Sequence, residues 1–144
     1  MKLVDFIVCD DIRQEISNKI SVMGIFGNEL RVQMASQDET WPVSLRLGVY
    51  VRVVLDNDDA LPNRVQIKAS RGDSEVVLAD GALTIQDRRP ILTVPIVLPQ
   101  FVIMGPGAVT FECLFTRDTA VVGTFSQTVG ISIEPRQIAA APSP

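Results

Sequence analysis

The stretch "WPVSLRLGVYVRVVL", residues 41–55, alternates apolar and polar side chains along its length. The apolar series consists of Val43, Leu45, Leu47, Val49, Val51 and Val53. The intervening series consists of Ser44, Arg46, Gly48, Tyr50 and Arg52. Successive side chains of a β-strand point to opposite faces, so this period of two predicts a long strand with one buried and one wetter face.

Two later segments repeat the alternation. In "NRVQIKAS", residues 63–70, the inward series is Val65, Ile67 and Ala69. In "AVTFECLF", residues 108–115, it is Val109, Phe111, Cys113 and Phe115. No segment keeps a helical period beyond about two turns. Short strands separated by turns predict an antiparallel β-sandwich or β-barrel, and we favour a sandwich of about seven to nine strands.

Prolines interrupt one apolar segment, "RRPILTVPIVLPQFVIMGPG", at Pro90, Pro95 and Pro99. Proline cannot donate to a β-ladder, so this segment is predicted to be an edge strand or a connection between sheets. The last residues, 134–144, contain three prolines and no alternation, which predicts a flexible tail. Residues 1–133 are predicted to form one sandwich domain.

The charge distribution argues against two classes of partner. The net charge is −4, and no stretch is rich in Lys or Arg. Binding to nucleic acid or to anionic lipid needs a concentrated basic surface, so neither partner is expected. The first residues lack the pattern of a signal peptide, and no apolar run is long enough to span a membrane. We therefore expect a cytoplasmic protein.

The chain offers little for catalysis. It contains no His, and its two cysteines, Cys9 and Cys113, lie in strand-like apolar stretches. A disulfide between them is conceivable in a sandwich, but a reducing cytosol favours two buried thiols. A reactive thiol usually needs a neighbouring base or cation. We predict a non-enzymatic protein without a cofactor.

The first acidic cluster lies in "CDDIRQEISNK", residues 9–19. Asp10 and Asp11 are candidate metal ligands, or carboxyls that share a proton with Glu15. The alternative is a polar connection between two strands, in which Arg13 pairs with a neighbouring acid. We favour the connection, because a hard cation needs several converging oxygens and spacing alone does not show convergence.

The second acidic cluster lies in "LDNDDALPN", residues 55–63. Asp56, Asp58 and Asp59 resemble the ligands of Ca²⁺-binding loops at the ends of β-sandwiches. The run lacks the spacing of an EF-hand, however, and Asp and Asn are also the preferred residues of ordinary turns. The turn is the favoured interpretation, and the Ca²⁺ site is the alternative.

The polar face of the first strand described above is a candidate protein interface. Tyr50 lies between Arg46 and Arg52 on that face, and Tyr and Arg are enriched at protein interfaces. The alternative is that a second sheet or a loop covers the face. The expected partner is another protein or a second copy of the chain.

The N-terminal pattern "CDDIRQEISNKISVMGIFGN", followed by "WPVSLRL", resembles a family of small bacterial proteins of unknown function. Its members have an apolar strand, an Asp-rich step and an Asn-Lys or Gly-Lys turn before a strand of the type "hydrophobic-x-Gly-Ile-Phe". The matching positions here are Asp10, Asp11, Arg13, Glu15, Asn18, Lys19, Gly24, Ile25 and Phe26. The resemblance implies an immunoglobulin-like β-sandwich and no known activity.

These observations predict an all-β, immunoglobulin-like sandwich. The favoured function is a non-enzymatic protein-binding or assembly module. The alternative is a sandwich that binds a small ligand or Ca²⁺ with its acidic loops.

Overall fold

A computed structural model describes residues 1–34, 40–85 and 90–134. The described chain contains nine strands and one short 3₁₀ turn, Ile16–Asn18. The strands are β1 (Lys2–Gln14), β2 (Ile20–Ile25), β3 (Glu29–Gln33), β4 (Val43–Val54), β5 (Arg64–Arg71), β6 (Ser74–Ala82), β7 (Ile91–Ile103), β8 (Gly107–Arg117) and β9 (Ala120–Glu134). The predicted tail lies outside the described residues except for Glu134, which ends β9.

The strands form two packed sheets. The four-stranded sheet has the order β2-β1-β4-β7, and the five-stranded sheet has the order β3-β9-β8-β5-β6. The central order β9-β8-β5-β6 opposite β1-β4-β7 is that of the G-F-C-C′ and A-B-E strands in immunoglobulin sandwiches. The predicted fold class is therefore confirmed. The pairing of β3 with β9 is parallel, whereas the other described pairings are antiparallel.

The core lies between the sheets, and the alternation in β4 decides which side chains enter it. Leu47, Val49, Val51 and Val53 are all 0% exposed. From the opposite sheet, the alternating residues of β5 and β8 complete the core with Ile67, Ala69, Phe111, Cys113 and Phe115. Each fully buried aliphatic or aromatic side chain contributes about 1.5–3 kcal/mol. The predicted inward faces of these three strands are confirmed.

Strand β7 is the edge strand that its prolines predict. It pairs with β4 and forms the outer strand of its sheet. Pro95 lies opposite Tyr50, and Pro99 follows two residues after Val97, the partner of Gly48. An edge strand tolerates proline because one of its sides has no ladder to complete.

The opening segment forms a hairpin of β1 and β2. Gln14 pairs with Ile20, and Cys9 pairs with Ile25. Asn18 lies in the intervening turn with a left-handed φ of 59°. The predicted order of strand, polar turn and strand is therefore confirmed. One detail differs, because Asp10 and Asp11 belong to β1 itself and lie before the turn.

Candidate functional site

The outer face of the four-stranded sheet carries the predicted interface residues, and its two arginines are ion-paired. Arg46 donates from Nε to Asp11 Oδ1 at 2.9 Å. Arg52 places a terminal guanidinium nitrogen 2.5 Å from Asp5 Oδ2. Both acids come from the neighbouring strand β1. The two arginine side chains remain 54% and 40% exposed, so this face presents paired charges to solvent.

Tyr50 lies between these ion pairs and is partly buried. Ile7 of β1 and Pro95 of β7 are its partners in register on either side. The three residues form an apolar strip across the middle of the sheet, because cross-strand partners share a face. The structure thus brings Arg46, Tyr50 and Arg52 together, and among the described residues no second sheet covers them.

Asp11 is the carboxylate that organises one end of this face. It accepts hydrogen bonds from Arg46, from Arg13 Nε at 3.2 Å and from the Ile12 amide at 2.9 Å. The bonds from Arg46, and next those from Arg13, lower the pKa of Asp11 below its ordinary value. Asp11 therefore works as a structural anion that connects β1 to β4.

Asp10 has a different environment from its neighbour. Its carboxylate lies directly over Gly24 of β2, so closely that a Cβ at Gly24 would come within 2.1 Å of Asp10 Oδ2. Gly24 also has a left-handed φ of 64°, which favours glycine. The Asp10 side chain makes no hydrogen bond or ion pair with a described residue. It lies on β1, beside the edge strand β2.

The second acidic cluster is a closed turn. Asp59 Oδ2 accepts a hydrogen bond from the Asp56 amide at 2.7 Å, and the Asp59 amide donates to the Asp56 carbonyl at 3.1 Å. The same carboxylate lies 2.5 Å from the amino group of Met1. These contacts match the turn interpretation of this segment, in which an Asp side chain caps its own backbone.

The two acidic clusters lie at opposite ends of β1. Asp59 contacts Met1 before the strand begins, whereas Asp10 and Asp11 follow nine and ten residues later. At about 3.3 Å per residue the separation is about 30 Å. No group of three or more His, Cys, Asp or Glu side chains within residues 1–34, 40–85 and 90–134 could hold a metal ion. The structure does not bring Asp56, Asp58 and Asp59 together with Asp10 and Asp11.

Both thiols are buried and free, as the sequence predicts. Burial raises the pKa of Cys113 to about 12. Burial also raises the pKa of Cys9, to about 11, although two backbone hydrogen bonds to its thiol act in the opposite direction. Cys113 belongs to the core, whereas Cys9 pairs with Gly48, and its Sγ lies over that residue. Sequence reasoning missed the role of Gly48, which leaves room for Cys9 and Ile12.

Strand β2 has an exposed apolar edge that the sequence analysis did not predict. It forms one edge of the four-stranded sheet. Large apolar side chains are exposed on it and on the preceding turn: Ile16 is 91% exposed, Met23 41% and Ile25 61%. The sequence contains a feature that could have predicted this exposed edge, because "ISVMGI" has neither a charged residue nor a proline.

A groove of about 510 Å³ opens on the opposite side of the sandwich, between β6 and the end of β7. Val76, Phe101, Val102 and Met104 contribute apolar lining, while Arg71 and Glu75 lie at its polar part. Arg71 donates to the carbonyls of Gly105 and Pro106, which fixes the connection from β7 to β8. Among the described lining residues, none is a nucleophile paired with a base.

None of the helical structure in the described chain is long or apolar enough to cross a membrane. In the comparisons with known proteins, no family model matches this chain and no curated protein matches it significantly.

Proposed function

We propose that this chain is a non-enzymatic module that binds another protein through its four-stranded sheet. The observation that carries the proposal is the exposure of Ile16, Met23 and Ile25 beside a sheet edge. Apolar side chains grouped at an edge, next to polar surroundings, are typical of protein interaction sites. The sandwich supplies a rigid frame for them, because its core is completed without these residues.

The Arg46, Tyr50 and Arg52 face fits the rim of such an interface. Its arginines already have carboxylate partners within the chain, so binding does not require a partner to neutralise them. The Nε atom of Arg52 is buried and has no hydrogen-bond partner among the described residues. A polar rim around an apolar centre is the usual organisation of a protein interface.

The described residues also support a non-enzymatic role by their chemistry. The chain has no His, and both thiols have pKa values raised by burial. A raised pKa keeps a thiol protonated and therefore unreactive near neutral pH. Free, buried thiols are also typical of a reducing compartment, which supports a cytoplasmic location. Membership of the bacterial family that the N-terminal pattern resembles stays a prediction.

The alternative function, binding of Ca²⁺ or a small ligand by acidic loops, has weaker support. Asp11 and Asp59 are engaged in contacts within the chain, and the two clusters are far apart. Calorimetric titration with millimolar Ca²⁺ tests this alternative directly. Saturable heat together with a thermal shift would favour it over a protein-binding module.

The test of the proposed function compares capture of protein partners by the wild-type chain and by two surface variants. Tyr50→Ala alters the sheet face, and Ile25→Lys alters its β2 edge. Light scattering after size-exclusion chromatography measures self-association, and cross-linking with mass spectrometry locates contacts with captured proteins. We expect at least one interaction that a sheet variant weakens and that Val121→Lys, an exposed change on β9, leaves intact. A strict monomer with no such interaction would overturn the proposal.

A further inference from the structure

The four edge strands of the sandwich differ in how they are protected against pairing with another chain. Strand β7 contains Pro95 and Pro99, and β3 is only five residues long and carries Glu29 and Arg31. Strand β6 carries acids near both ends, Glu75 and Asp80. Prolines, charges and short length are the devices by which edge strands avoid pairing with one another.

Strand β2 is also short, but it carries neither a charge nor a proline. Its six residues, "ISVMGI", are uncharged and contain no proline. Its exposed side chains include Met23 and Ile25. An uncharged apolar edge presents unpaired backbone groups and apolar side chains together, which is the surface that a further β-strand recognises.

The charges at the two ends of β2 indicate which strand fits. Lys19 lies immediately before β2 in an extended conformation, and its side chain makes no hydrogen bond or ion pair with a described residue. Asp10 lies over Gly24 near the other end. A lysine therefore precedes β2, and an aspartate of the adjoining strand β1 lies over the far end of β2, each without an ion-pair partner among the described residues.

An antiparallel second copy of β2 matches this arrangement. In a two-fold contact, the start of one strand lies beside the end of the other, and each contact occurs twice. Lys19 of each copy then approaches Asp10 of its partner, and Gly24 has no side chain to obstruct the approach. The apolar residues between these ends meet apolar residues, so no like charges face one another across the strands.

We propose that two copies of this chain pair through β2 and form a continuous eight-stranded sheet across the dimer. This inference rests on the proposed function and names its partner as a second copy. Backbone hydrogen bonds between the edges supply the pairing, and the exposed Met23 and Ile25 side chains are covered by it. Because the contact is limited to one strand from each copy, we expect a dimer that dissociates on dilution.

The first experiment measures the molar mass of the full chain by light scattering over a range of concentrations. We expect the mass to rise toward that of a dimer, and Ile25→Lys to weaken the dimer at least tenfold because it places like charges at the pairing edge. Val76→Lys is the matched control, since it introduces the same charge at an exposed valine of the β6 edge. Thermal unfolding verifies that both variants remain folded. Equal weakening by the two variants would overturn the β2 assignment.

The second experiment tests the charge match. Lys19→Glu is expected to weaken dimerisation several-fold, because it places an acid near Asp10 of the other copy. Asp10→Lys is expected to do the same, and the double variant is expected to recover most of the lost affinity. Additive losses in the double variant would contradict the contact between Lys19 and Asp10.

The outcomes separate this inference from the proposed function. A wild-type monomer that still captures another protein through its four-stranded sheet overturns the β2 dimer and leaves the proposed function standing. The same conclusion follows if the chain forms a dimer that is disrupted by Tyr50→Ala but not by Ile25→Lys. A monomer that captures nothing through the sheet overturns both.

Discussion

The two faces of the four-stranded sheet have the same backbone but different physical roles, and β4 and β1 show this directly. Toward the core, β4 presents Leu47, Val49, Val51 and Val53, all 0% exposed. Toward the outside, it presents Arg46, Tyr50 and Arg52, which contact acids or apolar neighbours of the adjoining strands. The inner face holds the sandwich together, whereas the outer face carries ion pairs and partly exposed side chains among the described residues.

The outer face is nevertheless not uniformly exposed. Above Gly48, the side chains of Cys9 and Ile12 form a small buried patch outside the main core. The comparison therefore shows that burial on this sheet depends on local covering as well as on which face a residue occupies. The following predictions test the difference between the faces, starting with the largest expected effect.

The two thiols are expected to react at different rates with a thiol reagent near pH 8. With pKa values of about 12 for Cys113 and about 11 for Cys9, the thiolate fraction falls below that of an ordinary thiol of pKa 9.0. Labelling of both thiols is expected to be much slower than in the unfolded chain, and slowest for Cys113. Mass spectrometry of timed samples measures both rates. Faster labelling of Cys113 than of Cys9 would contradict this order.

Truncation on the inner face is expected to cost the most stability. Leu47→Ala removes a fully buried side chain and leaves a cavity, so it is expected to lower the free energy of unfolding by about 2–5 kcal/mol. Denaturation in urea measures the change. Ser44→Ala, an exposed position of the same strand, is the control and is expected to stay within about 0.5 kcal/mol of the wild type. Similar losses in both variants would contradict the assignment of the faces.

Adding one methyl group to the covered patch is expected to cost less. A Cβ at Gly48 would lie 2.7 Å from Cys9 Sγ and 2.8 Å from Ile12 Cγ1. Gly48→Ala is therefore expected to destabilise the chain by about 1–3 kcal/mol through overpacking.

Gly81→Ala in β6 is the matched control for this change, because a Cβ there would meet no other atom within 4 Å. It is expected to leave stability unchanged or slightly raised. Equal stability of the Gly48→Ala and Gly81→Ala variants would contradict the close packing of Cys9 and Ile12 over Gly48.

The smallest expected effect is the loss of an ion pair on the outer face. The pKa of Asp11 is lower in the folded chain than its ordinary 3.8, so its contribution to stability is present above that value and is lost as the pH falls through the folded pKa. Arg46→Ala is expected to lower the melting temperature slightly at pH 7, with the difference shrinking below pH 3.8. Lys2→Ala is the control, and a difference that grows toward acid would contradict the coupling.

Much of the fold follows from local patterns in the sequence. The alternation in residues 43–53 predicts the inner face of β4, and the prolines at 95 and 99 predict that β7 is an edge. These features are predictable because the period of a strand and the missing amide of proline act within a few residues. Asn18 in the turn and Gly24 within β2 are likewise local features.

The candidate site was less predictable from the sequence. Grouping Arg46, Tyr50 and Arg52 on one face required only the strand period, but the acids that pair with the arginines come from β1, some 35 or more residues earlier. The role of Gly48 depends on Cys9 and Ile12, and the exposure of β2 depends on which strands become edges. Contacts between distant segments leave no periodic signal in either segment.

The sequence by itself determined that this chain is an all-β protein whose main strands each have one apolar face, because an alternating apolar face has to be buried against another layer. Only the tertiary structure decided that Asp10 and Asp11 belong to a strand far from Asp59, and that β2 lies at an unprotected edge. The physical reason is that the period of its own strand determines which face of the sheet a residue occupies. Which strands become neighbours, and which become edges, depends instead on the pairing of segments that are distant in the sequence.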